Sequence, residues 1–242
     1  MKIITVLGTR PEIIKLSPLI PKLNAEFKHV VIHTGQHYDY TMDGIFFDEL
    51  RLSSQNYNLH VGSHPPGKQV ALMLEKIEEI IIHEKPDAVL VQGDTNSTLA
   101  GALAAAKMNI KLIHLEAGCR SFNRTMPEEI NRVIADHISD LLITSNAQNK
   151  KLLLQEGIPE NKIVVAGSTV FDAVERNKSL IPSNLLSQLK LTPKQYLLVT
   201  IHRAENTNDP QHLQNIISAL NILAQNIKIV FPIHPRTKKI VE

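Results

Sequence analysis

Short apolar runs alternate along this chain with polar turns and longer amphipathic stretches. The runs fall at 3–7, 30–33, 88–91, 111–115, 141–144, 163–166, 197–201 and 227–233. Most are β-branched and nearly continuous, the pattern of strands buried on both faces. Helical period fills the intervals. Around 68–84, Val70, Met73, Leu74, Ile77, Ile80 and Ile81 recur at that spacing. Over 127–138, Ile130, Val133, Ile134, His137 and Ile138 do the same, predicting an apolar face on that helix. Strand and helix alternating at this interval predict right-handed βαβ units around a parallel sheet, an α/β fold.

The pattern breaks near 180–194, where Pro182 and Pro193 stand among Ser, Asn and Gln residues. A new strand–helix–strand unit starts at Tyr196. The expected organisation is one domain over 1–181, then a linker and a partial second domain over 182–242. The segment after the break suffices for a single βαβ unit, whose sheet edge and one face stay uncovered. The expectation is a chain that stops inside a second α/β domain, or that takes its cover from a partner.

Composition narrows the function classes. Apolar residues at 43% and charged residues at 21% exclude wholesale disorder. With 26 Lys and Arg against 24 Asp and Glu, the net charge of +2 offers no broad basic face for nucleic acid, while leaving room for a local anion pocket. The single cysteine, Cys119, makes neither an intramolecular disulfide nor a Cys-rich zinc site, as expected in a reducing compartment. The opening run at 3–7 is too short for a signal peptide or a membrane span, and no later run approaches about 18 apolar residues. A soluble, cytoplasmic protein without a membrane partner is expected.

Ligands of open parallel sheets bind beyond the carboxyl ends of the strands. The residues at the ends of the runs are Gly8-Thr9-Arg10-Pro11-Glu12, Thr34-Gly35-Gln36-His37-Tyr38-Asp39, Gln92-Gly93-Asp94-Thr95-Asn96, Glu116-Ala117-Gly118-Cys119-Arg120, His202-Arg203-Ala204-Glu205-Asn206 and His234-Pro235-Arg236. Carboxylates, imidazoles and arginines gathered at one edge suit an anionic substrate undergoing proton transfer. Each also has a plainer reading. Thr9 with Glu12, and Thr125 with Glu128, fit capping boxes, and Asp94 fits the N-cap of a helix over 95–107. Arg10 stands just before a helix N-terminus, where a cation opposes the macrodipole, so an anion beside it is the natural expectation. Glu116, between an apolar strand and Ala117-Gly118, is expected to be partly buried. Without a partner it would hold a proton readily; paired to Arg120 or Arg132 it would not. Arg203 and Arg236 tilt His202 and His234 towards phosphate. Residues 62–68 spell the start of a Walker A loop, but Gln69 replaces the magnesium-binding hydroxyl and two prolines remove amide donors. His60 and His64 do not sit on a helix as a metal pair would. No G-x-G-x-x-G occurs, so neither a dinucleotide cofactor nor a metal is expected.

Gly8-Thr9-Arg10-Pro11-Glu12 with Lys15, Gln92-Gly93-Asp94-Thr95, His114-Leu115-Glu116-Ala117-Gly118, Pro127-Glu128-Glu129-Ile130-Asn131-Arg132 and His202-Arg203, in that order, resemble the non-hydrolysing UDP-N-acetylglucosamine 2-epimerases. The resemblance covers nearly the whole chain. It implies two Rossmann-like halves of the GT-B type with the active site between them, a homodimer, a UDP-sugar substrate, no cofactor, and a role in making N-acetylmannosamine units for surface polysaccharides. Members of the family continue into a Ser-Gly-Gly loop and a Gln-Glu-Glu segment that grip UDP. This chain ends just after His234-Pro235-Arg236-Thr237, so it is expected to be C-terminally truncated, inside the second Rossmann-like domain.

The implied chemistry is elimination and re-addition. The C2 proton of a UDP-amino sugar has no adjacent carbonyl to acidify it. The family's route expels UDP from C1 as C2 loses its proton, and the resulting glycal is reprotonated on its other face as UDP returns. The resemblance assigns Asp94, Glu116 and Glu128 as acid–base carboxylates and Arg10 and His202 to the departing diphosphate. Lys15, Arg203 and Gln36 join the substrate site. Three rivals remain: an inactive sugar-nucleotide-binding half, an epimerase for a UDP-2,3-diacetamido uronic acid, and a GT-B glycosyltransferase. The last has no use for carboxylates on both faces of one ring.

Overall fold

The computed structural model describes residues 1–36, 44–201, 204–207, 209–233 and 237–238. They fall into two compact units, Met1–Leu180 and Ile181–Glu242. The first unit begins with β1 (Lys2–Leu7), α1 (Arg10–Leu16), α2 (Ile20–Glu26), β2 (Lys28–His33), α3 (Gly44–Glu49) and β3 (Tyr57–Asn58). It continues with α4 (Pro66–Glu84), β4 (Ala88–Gln92), α5 (Asn96–Lys107), β5 (Lys111–Ala117) and α6 (Pro127–Ile138). It ends with β6 (Leu141–Thr144), α7 (Ala147–Gln155), β7 (Ile163–Val165) and α8 (Thr169–Asn177). The seven strands form one sheet in the order β3-β2-β1-β4-β5-β6-β7, and every pairing is parallel.

Two cores flank the sheet because successive strand residues point to opposite faces. On one side Ile4, Val6, Val89 and Val91 meet Met73, Ile77 and Ile81 of α4 and the alanines of α5. On the other, Ile3, Leu7, Leu90 and Leu115 meet Ile13 and Leu16 of α1 with Ile20 and Leu23 of α2. Each such fully buried aliphatic chain contributes about 1.5–3 kcal/mol. α5 lies close to the sheet because its inner face is Ala and Gly. A Cβ built on Gly101 would come 2.9 Å from Val91 and 3.1 Å from Val6. That close approach brings the start of α5 down onto the ends of the strands.

Four local expectations are corrected. Thr95, not Asp94, caps α5: its hydroxyl accepts the Thr98 amide at 3.1 Å while Thr98 Oγ1 accepts the Thr95 amide at 3.2 Å, a reciprocal box. Thr9 and Glu12 form no such box. Glu12 turns inward, accepting the Gly8 amide and the Thr9 hydroxyl, both at 2.9 Å. Thr125 does not cap α6, whose N-cap is Met126; its hydroxyl goes to Asn123 Oδ1 at 2.7 Å. The predicted apolar face of α6 is also displaced. Ile130 is 42% exposed and His137 is exposed, whereas Glu129, Asn131, Ala135 and Asp136 are buried. The helix turns a polar stripe inward because buried partners wait for it there. β3, with only two residues and no apolar run, gave no periodic signal.

The second unit holds α9 (Leu185–Gln188), β8 (Tyr196–Leu198), α10 (Ala204–Thr207), α11 (Pro210–Ala224) and β9 (Lys228–Val230). β8 and β9 pair in parallel, Tyr196 opposite Lys228 and Leu198 opposite Val230. Asp209 caps α11 by accepting the amides of Gln211 and His212. Among the described residues no helix is long and apolar enough to cross a membrane.

Gly8, at the end of β1, has no room for a side chain. A Cβ there would lie 2.0 Å from Thr34 Oγ1 and 2.2 Å from Ser97 Oγ. Gly8→Ala is therefore expected to destabilise the fold by about 1–3 kcal/mol through overpacking, read as a lower urea midpoint at unchanged slope.

Candidate active site

β1, β4 and β5 are consecutive in the sheet and parallel, so the ends of the strands at Leu7, Gln92 and Ala117 share one edge. The Gly93 amide donates to Leu115 O at 3.0 Å, tying two of those ends together. Arg10 opens α1, its guanidinium 5.8 Å from the centre of the Phe46 ring. Further along α1, Lys15 reaches Glu116, with Nζ 2.9 Å from Oε1 and 2.6 Å from Oε2. The Gln92 amide also donates to Glu116. Glu116 has φ +66°, where β5 shifts register between Leu115 and Ala117. A left-handed non-glycine residue costs about 1–2 kcal/mol, and here the bulge turns the carboxylate towards α1. Glu116 is thus neither unpartnered nor bound to Arg120 or Arg132, as the sequence suggested. Those arginines are engaged elsewhere.

Arg132 of α6 pairs with Asp94 and, at 3.1 Å, with Glu129. Its Nε is buried without a hydrogen-bond partner among the described residues. Asn131 Nδ2 donates to the Asp94 carbonyl at 2.9 Å and to Asn96 Oδ1 at 3.2 Å. Glu129 accepts the Ser121 amide, the Ser121 hydroxyl and the Phe122 amide, each at 2.9 Å. Burial pushes its pKa up, but those donors and Arg132 outweigh burial and hold it below the ordinary value. Asp94 keeps a third of its side chain exposed, and Glu128, the residue before Glu129, is exposed. Arg120 pairs with Asp136 at 2.7 Å and Glu156 at 2.6 Å.

Behind this edge lies Glu12, 1% exposed, which also accepts the Thr95 hydroxyl at 2.8 Å. Burial raises its pKa, while Thr95, Thr9 and the Gly8 amide pull it back only in part. Gln36, after β2, accepts the Ser97 amide at 3.3 Å and hydroxyl at 3.0 Å, so it too meets the start of α5.

The structure therefore gathers Arg10, Lys15, Gln36, Asp94 and Glu116 at one edge, with α6 carrying Glu128 beside Asn131 and Arg132. His202, Arg203, the 37–39 part of the turn after β2 and the 234–236 segment lie outside the described residues. Gln92, which donates to Glu116, and Asn131, which holds the Asp94 carbonyl, were not assigned roles from sequence, and Arg132 was a candidate partner for Glu116 rather than for Asp94. The signal was present on α6: Glu129, Arg132 and Asp136 recur at i, i+3 and i+7, a polar stripe of helical period.

The sequence and fold that carry this arrangement have known counterparts. A sequence profile described as UDP-N-acetylglucosamine 2-epimerase matches residues 21–242. The chain belongs to the UDP-N-acetylglucosamine 2-epimerase family. A UDP-N-acetylglucosamine 2-epimerase homolog of Methanococcus maripaludis is 51% identical over 245 residues, covering 100% of this chain and 68% of that protein. The crystal structure of Methanocaldococcus jannaschii UDP-GlcNAc 2-epimerase in complex with UDP-GlcNAc and UDP superposes with a TM-score of 0.91 at 48% identity. That match covers 100% of this chain and 68% of the other. A UDP-2,3-diacetamido-2,3-dideoxy-D-glucuronate 2-epimerase of Pseudomonas aeruginosa is 41% identical over 249 residues, covering 100% of this chain and 69% of that protein. The chain thus spans about two thirds of the length of these epimerase-family relatives.

Glu12 gives the family fold a pH signature. Its raised pKa means the folded state binds the proton more tightly than the unfolded state. Stability from this residue therefore falls as pH rises from the ordinary carboxyl range through the raised value. A Glu12→Gln variant lacks that slope. Its urea midpoint relative to wild type is expected to shift in the variant's favour as pH rises through that window; a difference that stays flat would show that Glu12 titrates normally.

Proposed function

We propose that this protein interconverts UDP-N-acetylglucosamine and UDP-N-acetylmannosamine by elimination and re-addition of UDP. One observation carries the reading. Asp94 on the turn after β4 and Glu116 at the bulge ending the adjacent parallel β5 are each held by their own cation, Arg132 and Lys15, at the edge that also carries Arg10. Two fixed carboxylates are what two-faced proton transfer at one carbon requires. One carboxylate takes the C2 proton as the electron pair of that bond forms the C1–C2 double bond and the C1–O bond breaks towards UDP. The reverse step delivers a proton to the other face of C2 while the diphosphate oxygen re-forms its bond to C1. Atoms and electrons balance without a redox cofactor. Asp94, Glu116 and Glu128 divide the acid–base roles, and Arg10 and His202 stabilise the departing diphosphate, with Lys15, Gln36 and Arg203 completing the substrate site. In this reading 1–181 is the first Rossmann-like half, 182–242 begins the second, and the protein works in the cytoplasm as a homodimer supplying units for surface polysaccharides.

The relative from Pseudomonas aeruginosa favours one second reading, the same reaction on a UDP-2,3-diacetamido uronic acid. The two substrates differ at C3, next to the reacting C2, and at C6. Turnover assays with both sugar nucleotides in D2O separate the readings. UDP-N-acetylmannosamine carrying deuterium at C2 is the expected product. Return of both substrates unlabelled, with binding of UDP by calorimetry, would instead support a sugar-nucleotide-binding protein without turnover. In the active protein, Asp94→Asn and Glu116→Gln are each expected to lower kcat by about 10²–10⁴-fold while UDP still binds. Near-normal turnover of either variant would remove that carboxylate from the mechanism.

A further inference from the structure

Behind the two carboxylate-bearing turns sits a buried imidazole that the mechanism does not use. His114 of β5 and Asp136 of α6 both have fully buried side chains. His114 Nε2 lies 2.8 Å from the Gly93 carbonyl, and Nδ1 lies 2.7 Å from Asp136 Oδ1. Asp136 Oδ2 accepts the Gly118 amide at 3.1 Å and Arg120 Nη1 at 2.7 Å. Gly93, φ +75°, immediately precedes Asp94; Gly118, φ +77°, comes two residues after Glu116. One side-chain pair therefore connects the backbone beside one carboxylate to the backbone beside the other. We infer that the His114–Asp136 pair is the positioning device of this site, setting the spacing of Asp94 and Glu116 for proton transfer at one carbon. The inference rests on the epimerase reading of the site.

Donor and acceptor chemistry leaves little freedom. A carbonyl oxygen only accepts, so Nε2 must carry a proton. A proton also lies between Nδ1 and Oδ1. The Gly118 amide and Arg120 stabilise charge on Asp136, so that proton belongs to the ring. Arg120 and His114 then balance Asp136 and the partly exposed Glu156, and the four charges sum to zero. A buried ion pair contributes little net stability compared with well-packed apolar residues, so a geometric role accounts for it better than a stabilising one. The pair is not unique to one protonation state. In Asp136→Asn, Oδ1 can still accept from Gly118 and Arg120, while Nδ2–H donates to a neutral ring that keeps Nε2–H on Gly93. The bridge persists, and the remaining Arg120–Glu156 pair is again neutral.

The test compares His114→Phe and Asp136→Ala, which sever the bridge, with Asp136→Asn, which keeps it. Misplacing a reacting group by about 1 Å costs roughly 10²-fold in rate, so the severed variants are expected to lose about that much kcat with little change in KM. Asp136→Asn is expected to recover most of it. Severed variants that are folded and as fast as wild type, or an Asn variant as slow as the Ala variant, would overturn the inference. ¹⁵N NMR of the wild-type ring, assigned by loss of its signals in His114→Phe, is independent of turnover. Protonated Nε2 is expected in wild type and in Asp136→Asn, and Nδ1 protonation in wild type alone. A wild-type ring bare at Nε2 would overturn the bridge even where the severed variants do not fold. Absence of turnover in the wild type would instead defeat the epimerase reading, while the ring's protonation still reports on the bridge itself.

Discussion

The parallel pairing of β1, β4 and β5 is the constraint on which the site depends. Strands that run the same way finish at the same edge, so the segments after Leu7, Gln92 and Ala117 become neighbours although they are far apart in the chain. β1, β4 and most of β5 are buried on both faces, so alternation of polar and apolar residues cannot set their register. Polar contacts at their ends do so instead: the Gly93 amide on the Leu115 carbonyl, and the Gln92 amide on Glu116. The same contacts that finish the sheet aim the groups that would do chemistry. Fold and site share their hydrogen bonds.

Charge is handled differently at the two carboxylates. Glu116 meets a lysine delivered by α1, at the cost of a left-handed backbone on a bulge. Asp94 meets an arginine delivered by α6 and has its carbonyl held by the neighbouring Asn131. Partly exposed pairs of this kind add little to stability. Their consequence is geometric, because each carboxylate is left with one orientation. Glu12 stands apart from both. It is buried among hydroxyls and one amide, and these together with His33 only partly offset burial, so burial dominates its titration.

Family membership and geometry support each other without duplicating each other. The profile covers residues 21–242 and so does not include Arg10 or Lys15, which the sheet independently brings to the edge. The relatives include epimerases of two UDP-sugar types. Both reactions act on the same C1–C2 bond, so both would use the same carboxylates. In the proposed reading the edge would serve the shared chemistry, and the choice between sugars would fall to groups that meet C3 and C6.

The chain's own pattern determined the positions of every strand of the parallel sheet except β3, the long helix α4 and the clusters that end the strands. Periodicity and side-chain type are local properties, and burial on two faces leaves a plain apolar run. What only tertiary structure decided was partnership. Arg120 and Arg132 were both candidates for Glu116, yet Lys15 takes it, because a bulge turns Glu116 towards α1. α6 looked apolar on the face of Ile130 and Val133, yet buries Glu129, Asn131 and Asp136, because amides, a carbonyl, an imidazole and Arg120 lie across from them. Thr95 rather than Asp94 caps α5, which frees Asp94 for Arg132. A helix can present either of two faces, and a carboxylate can meet any of several cations. The selection is made by what the sheet places opposite, and a single strand of sequence does not contain its own neighbours.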